Sequence, residues 1–379
     1  MLTCDVNFAF KSKEGEEVCG DSIKIKRSED KVVVTVSDGL GSGIKASILS
    51  TLTASMTTTM LFNDMPMEEV MKSVLATLPK CKVRDISYAN FCSVLFKAKE
   101  NTCYIAEYEF PVVLLFRKNE FIDFEKKRLL VEDREIKESY FVPQDGDLLF
   151  VMTDGVSQAG LGTRLYPLGL GIENIKREIF NLTRYKVPPK EIVNCLIEKA
   201  KRLDKGIKGD DALLCVLYFR SFNRLNIMVG PPSDPNLDEY VAYKFLNMPG
   251  RKVICGGTTA QIVGRIMGSE VSLDLKTASE DSPPVGYMEG VDLVTEGIIT
   301  LTQVFRYLDG QIEKVGYGAN LIIDLIEKSD EICFIVGKAI NPAYQNPLFS
   351  YDMSLKFKIV KDIMDILKNK GKIVKIEAY

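Results

Sequence analysis

Five consecutive positions, Val32 to Val36, are β-branched and almost wholly apolar, which predicts a buried strand. The strand runs into Asp38 and three glycines, Gly39, Gly41 and Gly43. A helix is expected over 43–62, with Ile44, Ile48, Leu49, Leu52, Met56 and Met60 near helical spacing. Upstream, 3–10 and 23–27 alternate as strands do, with a turn at KSKEGEE between them. Pro66 starts a second helix, MEEVMKSVLATL, whose first turn carries Glu68 and Glu69, as the helix dipole favours. The runs FCSVLFKAK, TCYIAEYEF, VVLLFRK and EFIDFEK, joined by short turns, predict an antiparallel meander. Lys126, Lys127 and Arg128 read as a solvated turn, and a further strand leads to PQDGD. An apolar strand from Leu148 to Met152 then ends in Thr153-Asp154-Gly155. The glycine-rich stretch GLGTRLYPLGLG reads as a flap or exposed loop. Helices follow at 172–181 and 189–204, and then Gly209-Asp210-Asp211 enters a very apolar strand. Helix pairs and antiparallel strands in separate blocks predict an α+β domain.

From Leu225 the pattern changes to alternating strands and helices, which predicts a smaller α/β domain with a mostly parallel sheet. We therefore expect two domains, 1–220 and 221–379, and the length of 379 residues lets each bury a core.

Composition narrows the function more than the fold. The net charge of −3 argues against a nucleic-acid partner, because phosphate backbones need a basic surface. No apolar run approaches the roughly 18 residues of a membrane span, and the N-terminus lacks the layout of a signal peptide. The nine cysteines form no CxxC pair. Cys81, Cys92, Cys103, Cys195, Cys215, Cys255 and Cys333 read as reduced core thiols of a cytoplasmic protein. The chain has no His, which excludes Ser-His-Asp and Cys-His hydrolases and HExxH zinc enzymes. Hydrolytic chemistry would have to rest on carboxylates, Lys, Tyr, Cys or a metal held by oxygen.

Four acidic turns stand out in the first domain: Gly20-Asp21, Asp38-Gly39, Asp154-Gly155 and Gly209-Asp210-Asp211. One such turn is ordinary turn chemistry. Four that converge would make a hard-oxygen site suited to Mg²⁺ or Mn²⁺. Carboxylates packed together cannot all stay ionised without counter-charge, and two divalent ions would supply it. Two metals about 3.5–4 Å apart can activate water and clamp a phosphoryl group.

The order GD…SDGxGxG…TDG…DD resembles the PPM, or protein phosphatase 2C, metal-dependent phosphatases, and within them the SpoIIE-like bacterial group. The resemblance covers residues 3–219; SDGLGSGIKAS and DGDLLFVMTDGV are its most specific parts. It implies a β-sandwich flanked by helix pairs, with a binuclear Mn²⁺ or Mg²⁺ centre at one end. By the same resemblance, Asp38 would bridge both metals and Gly39 would offer its carbonyl to one. Asp21 would serve the second metal, and Asp154 and Asp210 would complete the first. Where the family's DDxT motif ends, this chain has Asp210-Asp211-Ala212-Leu213, so Asp211 stays open as the alternative to Asp210. Many bacterial relatives carry a second acid where Lys24 stands here.

The function implied is a signal-transducing protein serine/threonine phosphatase that uses a metal-activated water on a phosphorylated partner protein. An anti-sigma-antagonist-like regulator is one such substrate, and the C-terminal domain would regulate catalysis or recruit the target. The alternative is a phosphatase-like scaffold that binds a phosphoprotein without hydrolysing it, a reading favoured by Lys24 and Leu213. The chain alone leaves the oligomeric state open, a homodimer included. In the second domain, Cys255-Gly256-Gly257-Thr258-Thr259 and Thr295-Glu296-Gly297 each follow a strand and open a helix. Such turns either cap a helix or cradle an anion. Neither GxGxxG nor GxxxxGK[ST] is present.

Overall fold

The computed structural model describes residues 1–77, 89–207, 209–279, 282–339 and 355–379. Cys81, and Leu78 at the end of the second expected helix, lie outside the described residues. The chain divides into two compact units, Met1–Ser221 and Phe222–Tyr379.

The first unit opens with β1 (Leu2–Lys11), β2 (Ser22–Arg27) and β3 (Lys31–Gly39), followed by α1 (Gly43–Phe62) and α2 (Met67–Thr77). Next come β4 (Ala89–Lys97), β5 (Thr102–Tyr108), β6 (Val112–Arg117), β7 (Glu120–Ile122), β8 (Lys127–Val131), β9 (Arg134–Phe141) and β10 (Leu148–Met152). It closes with α3 (Asp154–Ser157), α4 (Ile172–Arg184), α5 (Pro189–Leu203) and β11 (Ala212–Ser221). One sheet has the order β1-β11-β10-β6-β7 and the other β2-β3-β4-β5-β9-β8.

Alternation along the strands builds the layers. Val32, Val34 and Val36 of β3 face Leu149, Val151, Leu213 and Cys215 of the opposite sheet across a dry core. The outer face of β10 and β11 packs on α4 and α5 through Phe150, Met152, Ile175, Ile179, Ile192 and Leu196. The outer face of the other sheet packs on α2 through Val33, Phe91, Tyr108, Val70, Met71 and Val74. This is the β-sandwich flanked by helix pairs that the family resemblance implies.

Four local expectations are corrected. The meander is split: β4 and β5 pair in one sheet, whereas β6 and β7 join the other. The crossing falls at Glu109 to Pro111, where Glu109 has a left-handed φ of 48° and Pro111 offers no ladder donor. Lys127 and Arg128 belong to β8 rather than to a turn, and Lys126 pairs at 2.8 Å with Glu107, which is buried. Helix α1 is turned the other way round: it buries Ala46, Ser50, Thr53, Ala54 and Thr57 and exposes Ile44, Ile48 and Leu52. Small side chains let the helix lie close on the sheet, and a hydroxyl satisfies a backbone carbonyl buried beneath it, as Ser50 donates to the carbonyl of Gly20 at 2.6 Å. Lastly, Cys195 is exposed on α5, while seven other described cysteines are buried.

The second unit begins with β12 (Arg224–Val229), a 3₁₀ turn at Pro235–Leu237, α6 (Asp238–Asn247), β13 (Arg251–Cys255) and α7 (Gly257–Met267). It continues with β14 (Ser272–Asp274), a second 3₁₀ turn at Leu275–Thr277, β15 (Val285–Met288), β16 (Val291–Thr295), α8 (Ile298–Leu308) and α9 (Tyr317–Glu327). The last elements are β17 (Glu331–Val336), α10 (Leu355–Asn369) and β18 (Ile373–Ala378). The sheet order is β14-β15-β16-β13-β12-β17-β18. From β16 to β18 the pairs are parallel, and β14 and β15 add an antiparallel edge. Helices cover both faces, α8, α9 and α10 on one and α6 and α7 on the other. Strand β15 carries no alternation that the sequence reading could separate from the loop around it. Among the described residues no helix is long and apolar enough to cross a membrane.

The inter-sheet core holds the first unit together. Leu149→Ala empties a fully buried site in it and should lower stability by about 2–5 kcal/mol in urea unfolding. Leu130→Ala, at a residue that is 70% exposed, should change it by no more than about 0.5 kcal/mol.

Candidate metal centre

Each acid singled out in the sequence lies at the same end of the sandwich, and the strand registers explain why. Strand β2 pairs antiparallel with β3, Ser22 opposite Ser37, so the next step along the ladder sets Asp21 against Asp38. Asp38 and Gly39 are the last paired residues of β3, opposite Asn90 and Ala89, and not a free turn. In the other sheet, β10 pairs with β11, Met152 opposite Leu214. Asp154 then opens the short helix α3, beside the Asp210-Asp211 pair that leads into β11. The approach is close: a Cβ on Gly155 would lie 1.9 Å from the Asp211 carbonyl oxygen.

Thr153 ties the two sheets together here. Its hydroxyl donates to Asp21 Oδ2 at 2.7 Å and accepts the Leu213 N–H at 2.9 Å. Gly39 is equally confined, since a Cβ there would meet the carbonyl oxygens of Ala46 at 2.5 Å and Gly20 at 2.7 Å. Only a residue without a side chain fits.

The electrostatics follow from this crowding. Burial, then repulsion from Asp38, pushes Asp21 up to about 8, against the relief given by the Thr153 hydroxyl. Burial, then the charges of Asp154 and Asp210, pushes Asp38 up to about 7. Asp154 is raised as well, by burial and by Asp210, although Gln158 Nε2 donates to its Oδ2 at 2.8 Å. Asp210 and Asp211 differ in what they face. Asp211 is buried, accepts the Lys13 N–H at 2.9 Å, and keeps one carboxylate oxygen without a partner. Asp210 is more open, with Lys13 Nζ at 3.5 Å, and is the one that repels both Asp38 and Asp154.

Lys11 and Lys13, in the segment expected as a turn, are part of the site. Register places Lys11, the last residue of β1, opposite Ala212. Lys11 Nζ lies 2.6 Å from Asp204 in a buried ion pair and donates to the Asp210 carbonyl at 2.5 Å. Glu16 was missed too: its carboxylate accepts from Ser42 Oγ at 3.1 Å and lies against Gly43 at the start of α1, where the dipole favours a negative charge. No local signal in the sequence marks these three, because strand pairing across about 200 residues brings Lys11 and Lys13 to the acids. Lys24 is exposed on β2, and Leu213 is buried in the sandwich core.

The residues present fit hard divalent cations in their donor chemistry. They are all oxygen donors, they hold more negative charge than they can keep ionised alone, and one buried carboxylate oxygen lacks a partner. The fit lies in this charge and not in a closed cage: among the described residues no three acidic or Cys side chains already meet ligand geometry.

A two-sheet sandwich with paired acids at one end and helix pairs outside defines a protein-phosphatase-2C-type fold. The family model for stage II sporulation protein E matches residues 28–220, just over half of the chain, so the chain belongs to the SpoIIE family. The likeness to solved structures is distant. A SpoIIE phosphatase domain with a regulatory fragment from Bacillus subtilis is 20% identical, with 58% of this chain and 62% of that one covered and a TM-score of 0.49. The chain thus spans under two thirds of that relative. The RsbU and RsbW domains of a Mycobacterium tuberculosis protein are 14% identical over 70% of each chain, with a TM-score of 0.46. RsbX, solved in complex with magnesium, is 14% identical over 57% of this chain and 99% of its own, with a TM-score of 0.39. No curated protein matches the chain.

The raised carboxylates carry a stability signature in metal-free protein. Between the ordinary carboxylate range and pH 7–8, folded Asp38 and Asp21 bind protons that the unfolded chain has lost. Stability must then fall as pH rises across that window. In excess chelator we expect a higher melting temperature at pH 5.5 than at pH 8.5, and a smaller difference in Asp38→Asn. A melting temperature that rises with pH in both proteins would contradict the crowding.

Proposed function

We propose that the first unit is a metal-dependent protein serine/threonine phosphatase. The observation that carries this reading is the cluster of mutually repelling, half-buried to buried carboxylates at one end of the sandwich. In the proposal Asp38 serves two Mn²⁺ or Mg²⁺ ions, with the Gly39 carbonyl and Asp21, Asp154 and Asp210 as the other donors. Such a pair, when bound, polarises a phosphoester and makes water nucleophilic near neutral pH. The chain's own residues do the rest. Thr153 orients Asp21 and holds the two sheets in register at the site. Lys11 and Asp204 brace the Asp210 backbone from below.

We assign Asp210 rather than Asp211 to the site's open side. Asp210 is the more exposed of the two and repels Asp38 and Asp154, whereas Asp211 is buried and repels Asp38 and Asp21. The exposed row Ile44, Ile48 and Leu52, on the helix that begins four residues after Gly39, supports a protein substrate over a small one. Phosphoserine or phosphothreonine on a signalling partner is the substrate class we favour. We further propose that the second unit tunes the first, so that residues 1–221 and the full chain should differ in turnover. All eight described cysteines are unpaired, in keeping with a reducing, cytoplasmic setting.

The test is hydrolysis of p-nitrophenyl phosphate and of a phosphoserine peptide by the full chain. With Mn²⁺ we expect turnover that chelator abolishes, and Asp38→Asn should reduce kcat/KM by about a hundredfold or more. Asp210→Asn should cost more activity than Asp211→Asn. Chelator-insensitive or absent turnover, with the phosphopeptide still bound, would instead indicate a binding scaffold.

A further inference from the structure

The acidic end of the first unit is short of positive charge for the substrate class proposed above. Five aspartates stand there, Asp21, Asp38, Asp154, Asp210 and Asp211, with Glu16 at the start of α1. Two divalent ions would leave the five aspartates one unit negative, even with Glu16 set aside. A phosphomonoester is close to a dianion at neutral pH, since its second pKa is about 6. A further cation at the rim would favour its entry into such a field.

Two lysines lie close by, and they are held differently. Lys11 serves the structure: it is buried, pairs with Asp204 at 2.6 Å and donates to the Asp210 carbonyl. Lys13 is fixed at one end and free at the other. Its backbone N–H donates to Asp211 Oδ1 at 2.9 Å, and its carbonyl accepts the Glu16 N–H at 3.0 Å. Its side chain is 29% exposed, and its ammonium lies 3.5 Å from Asp210 Oδ1. That oxygen already accepts the Asp211 N–H at 2.9 Å, so the ammonium makes only a long, secondary contact. Among the described residues, Lys13 is the one positively charged side chain in contact with any of the five carboxylates.

A bracing lysine is buried and saturated, as Lys11 is. Lys13 has the opposite build. Its pinned backbone keeps the ammonium within a four-carbon stem of Asp210 and Asp211, and its three donors suit phosphate oxygens. Asp210 is the more open of the acid pair, so the ammonium shares the open rim of the site. We propose, on the basis of the phosphatase reading above, that Lys13 is the phosphate-binding cation of the site. Its ammonium donates to phosphate oxygens that the surrounding carboxylates would otherwise repel.

The test combines kinetics with equilibrium binding, both on the full chain. With Mn²⁺ and a phosphoserine peptide, Lys13→Gln should raise KM about tenfold and change kcat by less than about threefold, as expected for one partly exposed charge-assisted hydrogen bond. Lys13→Arg should return KM to within about threefold of the wild type. Lys99→Gln removes the same charge in the turn after β4, at the opposite end of the sandwich, and should alter neither constant. Lys13→Gln keeps the backbone N–H that Asp211 accepts, and an unchanged melting temperature verifies its fold.

Calorimetric titration with inorganic phosphate in the presence of Mg²⁺ needs no turnover. Lys13→Gln should weaken that binding about tenfold, while Mg²⁺ affinity without phosphate stays within about threefold. An unchanged KM or an unchanged phosphate affinity in Lys13→Gln overturns the proposal. So does an equal loss of Mg²⁺ affinity, which would make Lys13 a support for Asp210, or a Lys13→Arg variant no better than Lys13→Gln. A wild type without turnover would count against the phosphatase reading itself. The phosphate titration then decides the role of Lys13 alone, and a wild type that binds no phosphate overturns it.

Discussion

Negative charge concentrated at one end of a sandwich is the constraint on which the first unit turns. Asp21 and Asp38 come from one sheet, Asp154 and Asp210-Asp211 from the edges of strands in the other. Alone, Asp21 and Asp38 hold protons to near-neutral pH, which is an unfavourable way to finish a core. The surrounding structure accepts this by over-determining their positions. Thr153 bridges the sheets, Gly39 and Gly155 allow contacts that any side chain would forbid, and the Lys11–Asp204 pair supports the backbone of Asp210. Such local strain against the folded state is expected where a site is organised for a ligand charge rather than for stability.

The packing of α1 follows from the same arrangement. Its polar and small side chains lie on the sheet, where Ser50 serves the carbonyl of Gly20 and the Ala46 backbone closes over Gly39. A bulky apolar face would hold the helix away from these strand ends. The isoleucines are therefore left outward, and the helix joins the acidic end of the sandwich to an exposed apolar row. The second unit solves a different problem with a parallel sheet buried on both faces.

Much of this was legible in the sequence because it is local. Val32 to Val36, Leu148 to Met152 and the strands from Leu225 onward carry their burial in consecutive residues, and glycine and proline mark their ends. The acids were legible because each adjoins such a strand. What misled was periodicity where it did not report burial: apolar spacing on α1 pointed to the exposed face, and regular short turns from Phe91 to Lys126 suggested one sheet where there are two. Lys11, Lys13, Glu16 and Thr153 gave no signal as a group, since each acquires its partner only through pairing of distant strands.

The amino-acid sequence by itself determined most strand and helix identities, the order of the acidic turns, the absence of any imidazole and the change of architecture after Ser221. These depend on side-chain type and near-neighbour spacing, which one chain records completely. Tertiary structure alone decided which face of α1 is buried, which sheet each strand joins, and that Lys11 and Lys13 stand beside the Asp210-Asp211 pair. Those outcomes depend on register and close approach between segments far apart in the chain, and a one-residue change in pairing would reverse them.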